Sequence, residues 1–286
     1  MRRTLATPVT SDAVLARWEG RTSDELRRRW RVPELIALRE TLSTNDVARA
    51  RANAGAPAGL LVLAEYQHAG RGRLGRSWSA APGHALLLSF LLRPAPAPGE
   101  PAPGAAPVRV GLAVARALRA ATGIDARLKW PNDVVLGTAG KLAGILCEAA
   151  TAGGETVVIA GIGINVAQQP EDWPEALRAT ATSVAIATHT APDRLAIMDA
   201  LCSSVAPLFA APLTPLTEQE MRAWDAVDAL RGRSVTLAGA EVDQGTARGI
   251  AADGALLIET DRAVHRITSA TVRAADDASS NASSHP

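Results

Sequence analysis

Apolar residues in the first half of the chain come in short runs bounded by turn residues, a spacing that predicts strands more often than helices. "LIALRET" (35–41) reads as a first strand, and "LLVLAEY" (60–66) and "ALLLSFLL" (85–92) are strand-like in length. "ARLKW" (126–130), "KLAGILCEAA" (141–150) and "TVVIAGIGINV" (156–166) supply three more, with Pro131-Asn132-Asp133 and Gly153-Gly154 as turn chemistry between them. Helical periodicity appears in "VRVGLAVARALRAAT", which ends at Gly123, and in "DRLAIMDALCSSVAPLF". Ser43-Thr44-Asn45-Asp46 offers an N-cap with an acidic residue three positions on, ahead of an Ala/Arg helix that stops at Gly55. Before the first strand, "SDAVLARW" and "SDELRRRW" read as polar, Arg-rich helical turns.

Two segments depart from this pattern. The Pro/Ala/Gly-rich run "RPAPAPGEPAPGAAP" (93–107) predicts no regular structure and a flexible surface excursion. Beyond residue 230, "RGRSVTLAG", "GTARGIAADGALLIET" and "AVHRITSATV" predict short strands, with Asp253-Gly254 as a hairpin turn. They suggest a small β-barrel that needs docking on a larger body. The expected organisation is a short helical preface over 1–34, a mixed α/β domain over 35–225, a β domain over 226–275 and a disordered tail over 276–286.

Composition narrows the function. Thirty Lys and Arg stand against 29 Asp and Glu in 286 residues, so no global field draws nucleic acid or an anionic membrane, and any cationic chemistry must be local. Cys147 and Cys202 are the only cysteines, without metal-ligand spacing, which fits a reducing compartment. The basic N-terminus lacks the apolar stretch of a secretion signal, and no run approaches membrane-spanning length, so the expected location is the cytoplasm.

The local cationic chemistry lies in "GRGRLGRSW" (70–78), which contains Gly70-x-Gly72-x-x-Gly75, the spacing of a dinucleotide-binding turn. That reading requires a helix opening at the third glycine. Instead Pro82-Gly83 follows and the next element is strand-like, while Arg71, Arg73 and Arg76 fill a loop that should work through backbone amides. An NAD site is therefore not expected. A solvated basic loop remains the plain alternative.

"GRGRLGRSW", together with "STND" at 43, "EYQHAGRGR", "KWPND" at 129–133, "KLAGIL" at 141–146 and "GIGIN" at 161–165, resembles the motif set of the biotin protein ligases, in order and over roughly residues 35 to 275. The resemblance implies a mixed α/β catalytic domain related to lipoate ligases and class II aminoacyl-tRNA synthetases, followed by an SH3-like domain. It also implies a two-step reaction in which biotin and ATP give biotinyl-5'-AMP and pyrophosphate, and the biotinyl group then passes to a lysine of a biotin carboxyl carrier domain. Mg2+ is expected with the ATP, and no metal site built from side chains.

Residue roles follow from the resemblance and from the ligand chemistry together. Two anions must meet, repelling by about 1 kcal/mol in water and several in a partly dry site, and fixed cations offset this. Arg71, Arg73 and Lys141 are expected at the biotin carboxylate and the adenylate phosphate, and are the catalytic candidates. Ser43, Thr44, Asn45 and Gln67 are expected at the neutral ureido ring, with Gly72 and Gly144 allowing close approach. Arg76, Trp78, Lys129, Asn132, Gly163 and Asn165 are expected on the nucleotide side, Gly161 beside them. Ser43 or Thr44 could serve only as an N-cap, Lys141 could be a strand-edge lysine, and Trp78 could be a core anchor. The thirty-odd residues before the first strand do not fit a winged helix-turn-helix, so the chain resembles the monofunctional class and no DNA partner is expected. A homodimer is left open. The nearest alternatives are a lipoate or octanoate ligase and, from a different class, a DNA-binding regulator.

Overall fold

The computed structural model describes residues 14–99, 101–137 and 140–275. A short hairpin, β1 (Arg17–Trp18) and β2 (Arg21–Thr22), leads through helix α1 (Ser23–Trp30) into β3 (Leu35–Thr41). Helix α2 (Thr44–Asn53) crosses to β4 (Leu61–Gln67), which pairs parallel with β3. Then come β5 (Ala85–Leu92), α3 (Ala105–Thr122), β6 (Ala126–Lys129), β7 (Asp133–Leu136), β8 (Gly140–Ala152) and β9 (Glu155–Asn165). These strands form one seven-stranded mixed sheet in the order β3-β4-β5-β9-β8-β7-β6.

Helices α4 (Glu175–Arg178), α5 (Val184–Thr188), α6 (Arg194–Val205) and α7 (Glu218–Val227) follow. A second sheet holds β10 (Ser234–Ala238), β11 (Gln244–Ile250), β12 (Leu256–Glu259), β13 (Val264–Ile267) and β14 (Thr271–Ala274). It is antiparallel throughout, in the order β13-β12-β11-β10-β14.

Alternation along β5 divides the core. Leu86, Leu88 and Phe90 join the cluster that packs on Val110, Val114 and Leu118 of α3 and Ile197 and Leu201 of α6. Leu91 lies on the other face, with Val62, Ala64 and Ile159 against Val47 and Ala48 of α2. A strand inside a sheet covered on both faces must be apolar at every position, which is why "ALLLSFLL" reads as a continuous run. Its one polar residue, Ser89, faces α2 and is fully buried.

Several expectations change. "SDAVLARW" does not form a helical turn where it is described: Glu19 and Gly20 adopt left-handed φ values of 47° and 73°, turn the chain into the β1–β2 hairpin, and let Trp18 pack edge-on against Trp30. The second segment, "SDELRRRW", is helix α1, capped by a Thr22–Glu25 capping box. Strand β7 is additional; its short "DVVL" run hides directly behind the Pro131-Asn132 turn. The Pro-rich run is pinned at its ends, since the amides of Arg93, Ala95 and Ala102 donate to the carbonyls of Phe209, Ala210 and Leu213. Its last residues, Ala105 to Pro107, form the first turn of α3, where a proline loses no helical hydrogen bond. The dinucleotide-turn reading fails, because the 70–78 loop joins β4 to an antiparallel β5 with no helix between. The expected tail at 276–286 lies outside the described residues.

The two sheets meet along β6 and the segment after α7. Trp130 Nε1 donates to Gly254 O across 2.9 Å, and the Ala229 amide donates to Leu128 O at 2.9 Å. Asp228 lies buried at this junction and accepts from the Leu230 amide at 2.8 Å. Burial pushes its carboxyl above the ordinary aspartate range, and the Leu230 amide and the Trp224 indole only partly offset that. A folded-state pKa above the unfolded one means that this group's contribution to stability is complete in acid and is lost as pH rises through the folded value. Asp228→Asn keeps an acceptor for Leu230 and removes the buried charge. The melting-temperature difference between variant and parent should therefore grow in the variant's favour from pH 4 to pH 7, by about 2–4 °C; a difference that is flat with pH would refute the buried-charge account.

Candidate active site

Three glycines open a strip on the α2 face of the large sheet. Gly144 of β8 pairs in register with Gly163 of β9, and Leu146 pairs with Gly161, so Gly161 and Gly163 project to one face. A Cβ on Gly161 would lie 2.4 Å from Asn45 Oδ1, and one on Gly163 would lie 2.5 Å from the Trp78 ring. A Cβ on Gly144 would meet the same ring at 2.8 Å. The indole of Trp78 lies on bare backbone, with its Nε1 buried and unpartnered. Polar Asn45 occupies one end of the strip and aromatic Trp78 the other.

Around Asn45 is a cluster of neutral polar side chains. Ser43, Thr44 and Asn45 are buried at the N-terminus of α2. Ser43 is the N-cap residue, yet its hydroxyl makes no capping bond. The Thr44 amide donates to Gln67 Oε1 at 2.8 Å, and Ser89 Oγ lies 2.8 Å from Thr44 Oγ1 and 2.6 Å from Asn45 Oδ1. Asn45 Nδ2 donates to Glu148 Oε2 at 2.6 Å. Thr44 and Gln67 are thus joined directly, with buried Ser43 next to them in the chain, while both ends of the Asn45 amide are taken up by the protein.

The 70–78 loop lies beside this cluster, closed by Gly72 N to Arg76 O (2.7 Å) and Trp78 N to Gly70 O (2.8 Å). Arg71 makes a bidentate pair with Asp46 at 2.7 Å, and its second contact, Glu148, is 3.5 Å away. The hydrogen bonds that Arg71 donates to Asp46 raise its pKa above the ordinary value. Arg73 and Arg76 meet hydroxyls instead, donating to Ser269 Oγ and Thr271 Oγ1 at 3.1 Å each. Burial pulls the Arg73 guanidinium down and Asp133 only partly restores it. A half-buried guanidinium held by a neutral hydroxyl favours an incoming anion.

A cavity of about 50 Å³ separates these arginines from the β6–β7 turn and is lined by Arg73, Arg76, Lys129, Asn132, Asp133 and Thr271. Lys141 reaches toward it from β8, pairing with Asp133 at 2.7 Å with its ammonium 5.5 Å from the Trp78 ring centre. Asn132 stays in the turn, its amide donating to Ile145 O at 3.1 Å. Asn165 is spent locally, giving both amide protons to the carbonyls of Lys141 and Thr182 and accepting from Gln168.

The structure adds partners that sequence reasoning missed. Asp46 and Asp133 were legible as a capping acid and a turn residue, but not as counter-charges to Arg71 and Lys141. Glu65 anchors the far stem of the loop, accepting from Gly83 N at 2.9 Å, Arg194 at 2.6 Å and Trp18 Nε1 at 2.5 Å. Among the described residues no group of three or more His, Cys, Asp or Glu side chains gathers as a metal site. No described helix is long and apolar enough to cross a membrane.

Comparison with known proteins matches this arrangement. Residues 38–165 match the biotin/lipoate A/B protein ligase family and residues 232–272 match the biotin protein ligase C terminal domain. The bifunctional ligase/repressor BirA of Bacillus subtilis is 35% identical over 234 residues, covering 80% of this chain and 70% of that protein. The biotin--[acetyl-CoA-carboxylase] ligase of Mycobacterium tuberculosis is 41% identical over 169 residues, 58% of this chain and 59% of its own length. Among solved structures, the biotin protein ligase of Aquifex aeolicus in complex with biotin and ATP superposes with a TM-score of 0.68 at 28% identity, covering 85% of this chain and all of that one.

The Arg71–Asp46 pair tests how the loop is held. Its two side chains are 38% and 39% exposed, so the pair contributes about 0.2–1 kcal/mol. Asp46→Asn should raise the rate of tryptic cleavage after Arg71 by about 1.5- to 5-fold in the ligand-free protein, provided opening is fast relative to cleavage. An unchanged rate would mean that the loop's own hydrogen bonds, and not Asp46, hold it closed.

Proposed function

The chain belongs to the biotin/lipoate A/B protein ligase family, and from that premise we propose that it acts as a biotin protein ligase, activating biotin with ATP and transferring the biotinyl group to a lysine of a carrier domain. One observation carries the assignment of the site: a neutral hydroxyl and amide pocket and a cluster of cations share one glycine-floored strip. A ligand with a neutral, hydrogen-bonding head and an anionic tail suits it.

In this reading Thr44, Gln67 and Ser43 receive the ureido head, whose two N–H groups and one carbonyl match neutral hydroxyls and amides better than charges. The valeryl chain runs between Asn45 and Trp78, the two side chains that Gly161 and Gly163 let down onto the sheet. Arg71, Arg73 and Lys141 then meet the carboxylate and the α-phosphate. A carboxylate oxygen attacks the α-phosphorus, the bond to the β-phosphate bridge breaks, and pyrophosphate leaves. In the second step a carrier lysine's neutral amine attacks the acyl carbon, AMP departs and the amine loses a proton. The fixed cations act mainly by offsetting the charge that builds as two anions approach. Arg76, Lys129 and Asn132 line the nucleotide side, with Trp78 stacking on or bordering the base. Mg2+ would come with the ATP, and Asp133, a carboxylate lining the cavity, would be the side chain to help hold it there. Asn165 keeps a backbone role here, steadying Lys141 through its carbonyl at 3.2 Å.

Incubating the protein with MgATP and, separately, biotin, lipoate and octanoate tests the reading through pyrophosphate release and acyl transfer to a carrier domain. Biotin alone should support both; release driven by lipoate or octanoate and not by biotin would overturn it. Lys141→Ala should remain folded and lose about a hundredfold in adenylate formation, the scale of one preorganised charge contact. Activity within a fewfold of the parent would remove Lys141 from the site.

A further inference from the structure

We propose that Glu148 is a positioning residue that, through Asn45 and Ser89, sets the hydrogen-bond polarity of the head pocket so that Thr44 presents an acceptor to a ligand N–H. The proposal rests on the reading that this pocket receives biotin.

Proton counting carries it. Ser89 and Thr44 own one hydroxyl proton each, yet three close contacts compete for them: Ser89 to Asn45 Oδ1 at 2.6 Å, Ser89 to Thr44 at 2.8 Å, and Thr44 to Gln67 Oε1 at 3.1 Å. One contact must go without. A carboxylate can only accept, so Glu148 at 2.6 Å, with the Leu146 carbonyl as a longer second acceptor at 3.4 Å, turns Asn45 Nδ2 toward it and Oδ1 toward Ser89. Ser89 then has to donate to Asn45. Thr44 donates to Ser89, and the longest contact, to Gln67, is the one left without a proton. Gln67 Oε1 keeps its bond from the Thr44 amide.

Thr44 therefore faces the pocket as an acceptor, the complement of a ureido N–H. Replacing the carboxylate by an amide leaves only the long Leu146 contact to oppose reversal of the whole chain. Asn45 could then flip, Ser89 would donate to Thr44, and the Thr44 proton would go to Gln67 or into the pocket. Ser89 is wholly buried, and a hydroxyl there is costly unless paired, so its position in an otherwise apolar strand fits this single task. Glu148 also touches Arg49 at 3.2 Å and Arg71 at 3.5 Å, so a second route, through the loop, must be separated by the test.

Biotin binding without nucleotide, and the KM values for biotin and MgATP, should be measured for the parent, Glu148→Gln, Ser89→Ala and the double variant. Each single change should weaken biotin by about tenfold, the worth of one misdirected hydrogen bond, while the KM for MgATP moves by less than about twofold. The double variant should lose no more than the worse single one, because both break one relay. N-methylated biotin, which lacks the N–H, should bind parent and Glu148→Gln alike. Multiplying losses would assign Glu148 to the Arg71 route, parallel rises in both KM values would make it a folding effect, and parent-like binding by Glu148→Gln would remove it altogether; each overturns the relay. Ser89→Cys replaces Ser89→Ala if the alanine variant does not fold. A parent protein that binds no biotin would sink the ligase reading and the relay with it, whereas failure of the variants alone leaves the ligase reading intact.

Discussion

Everything in the site depends on the absence of three side chains. Gly144, Gly161 and Gly163 leave a strip of bare sheet backbone wide enough for Asn45 at one end and the Trp78 indole at the other. Any Cβ there would push into atoms 2.4 to 2.8 Å away. Because Gly144 and Gly163 are register partners, the clearance is a property of paired strands rather than of one mobile residue. The glycines thus set how deeply Asn45 and Trp78 sit, with a neutral polar cluster on one side of them and cations on the other.

The cations reach that strip with different partners, and the difference shapes the electrostatics. Arg71 is satisfied by a bidentate carboxylate and Lys141 by Asp133, whereas Arg73 and Arg76 donate to the hydroxyls of Ser269 and Thr271. The second pair lies against the small sheet, so docking that sheet sets the environment of two of the loop's three arginines. Trp130, whose indole donates to Gly254 O, ties the same two bodies together at the turn that carries Asn132 and Asp133. The far stem of the loop is fixed by Glu65, which draws the β1–β2 hairpin, α6 and Gly83 onto one carboxylate. Loop, turn and N-terminal hairpin are thereby supported from three separate parts of the chain.

Much of the architecture was legible before any coordinates. Strand β5 matches its apolar run residue for residue, and α3 ends at Gly123, whose left-handed φ of 73° terminates the helix. The first hairpin was not legible, because "VLARW" carries helix-compatible residues and only the Glu19-Gly20 turn, together with Trp18 packing on Trp30, overrides them. Strand β7 was hidden because its apolar core is only three residues long, too short for periodicity to resolve. The Pro-rich run has no helix or strand in its described residues before Ala105, as its composition predicts, but composition says nothing of which carbonyls lie within reach of its amides.

The sequence by itself determined the kinds of residue available, their order along the chain, and the family to which those motifs point, since spacing within a loop or strand is a local property. Tertiary structure alone decided the partners. Asp46 faces Arg71 across 25 positions, Ser89 meets Asn45 across 44, and Glu148 meets Asn45 across 103. Pairings of that range follow from sheet order and register, which bring distant strands to one face. Whether a buried polar atom is satisfied, and which way its proton points, depends on neighbours that no local pattern specifies.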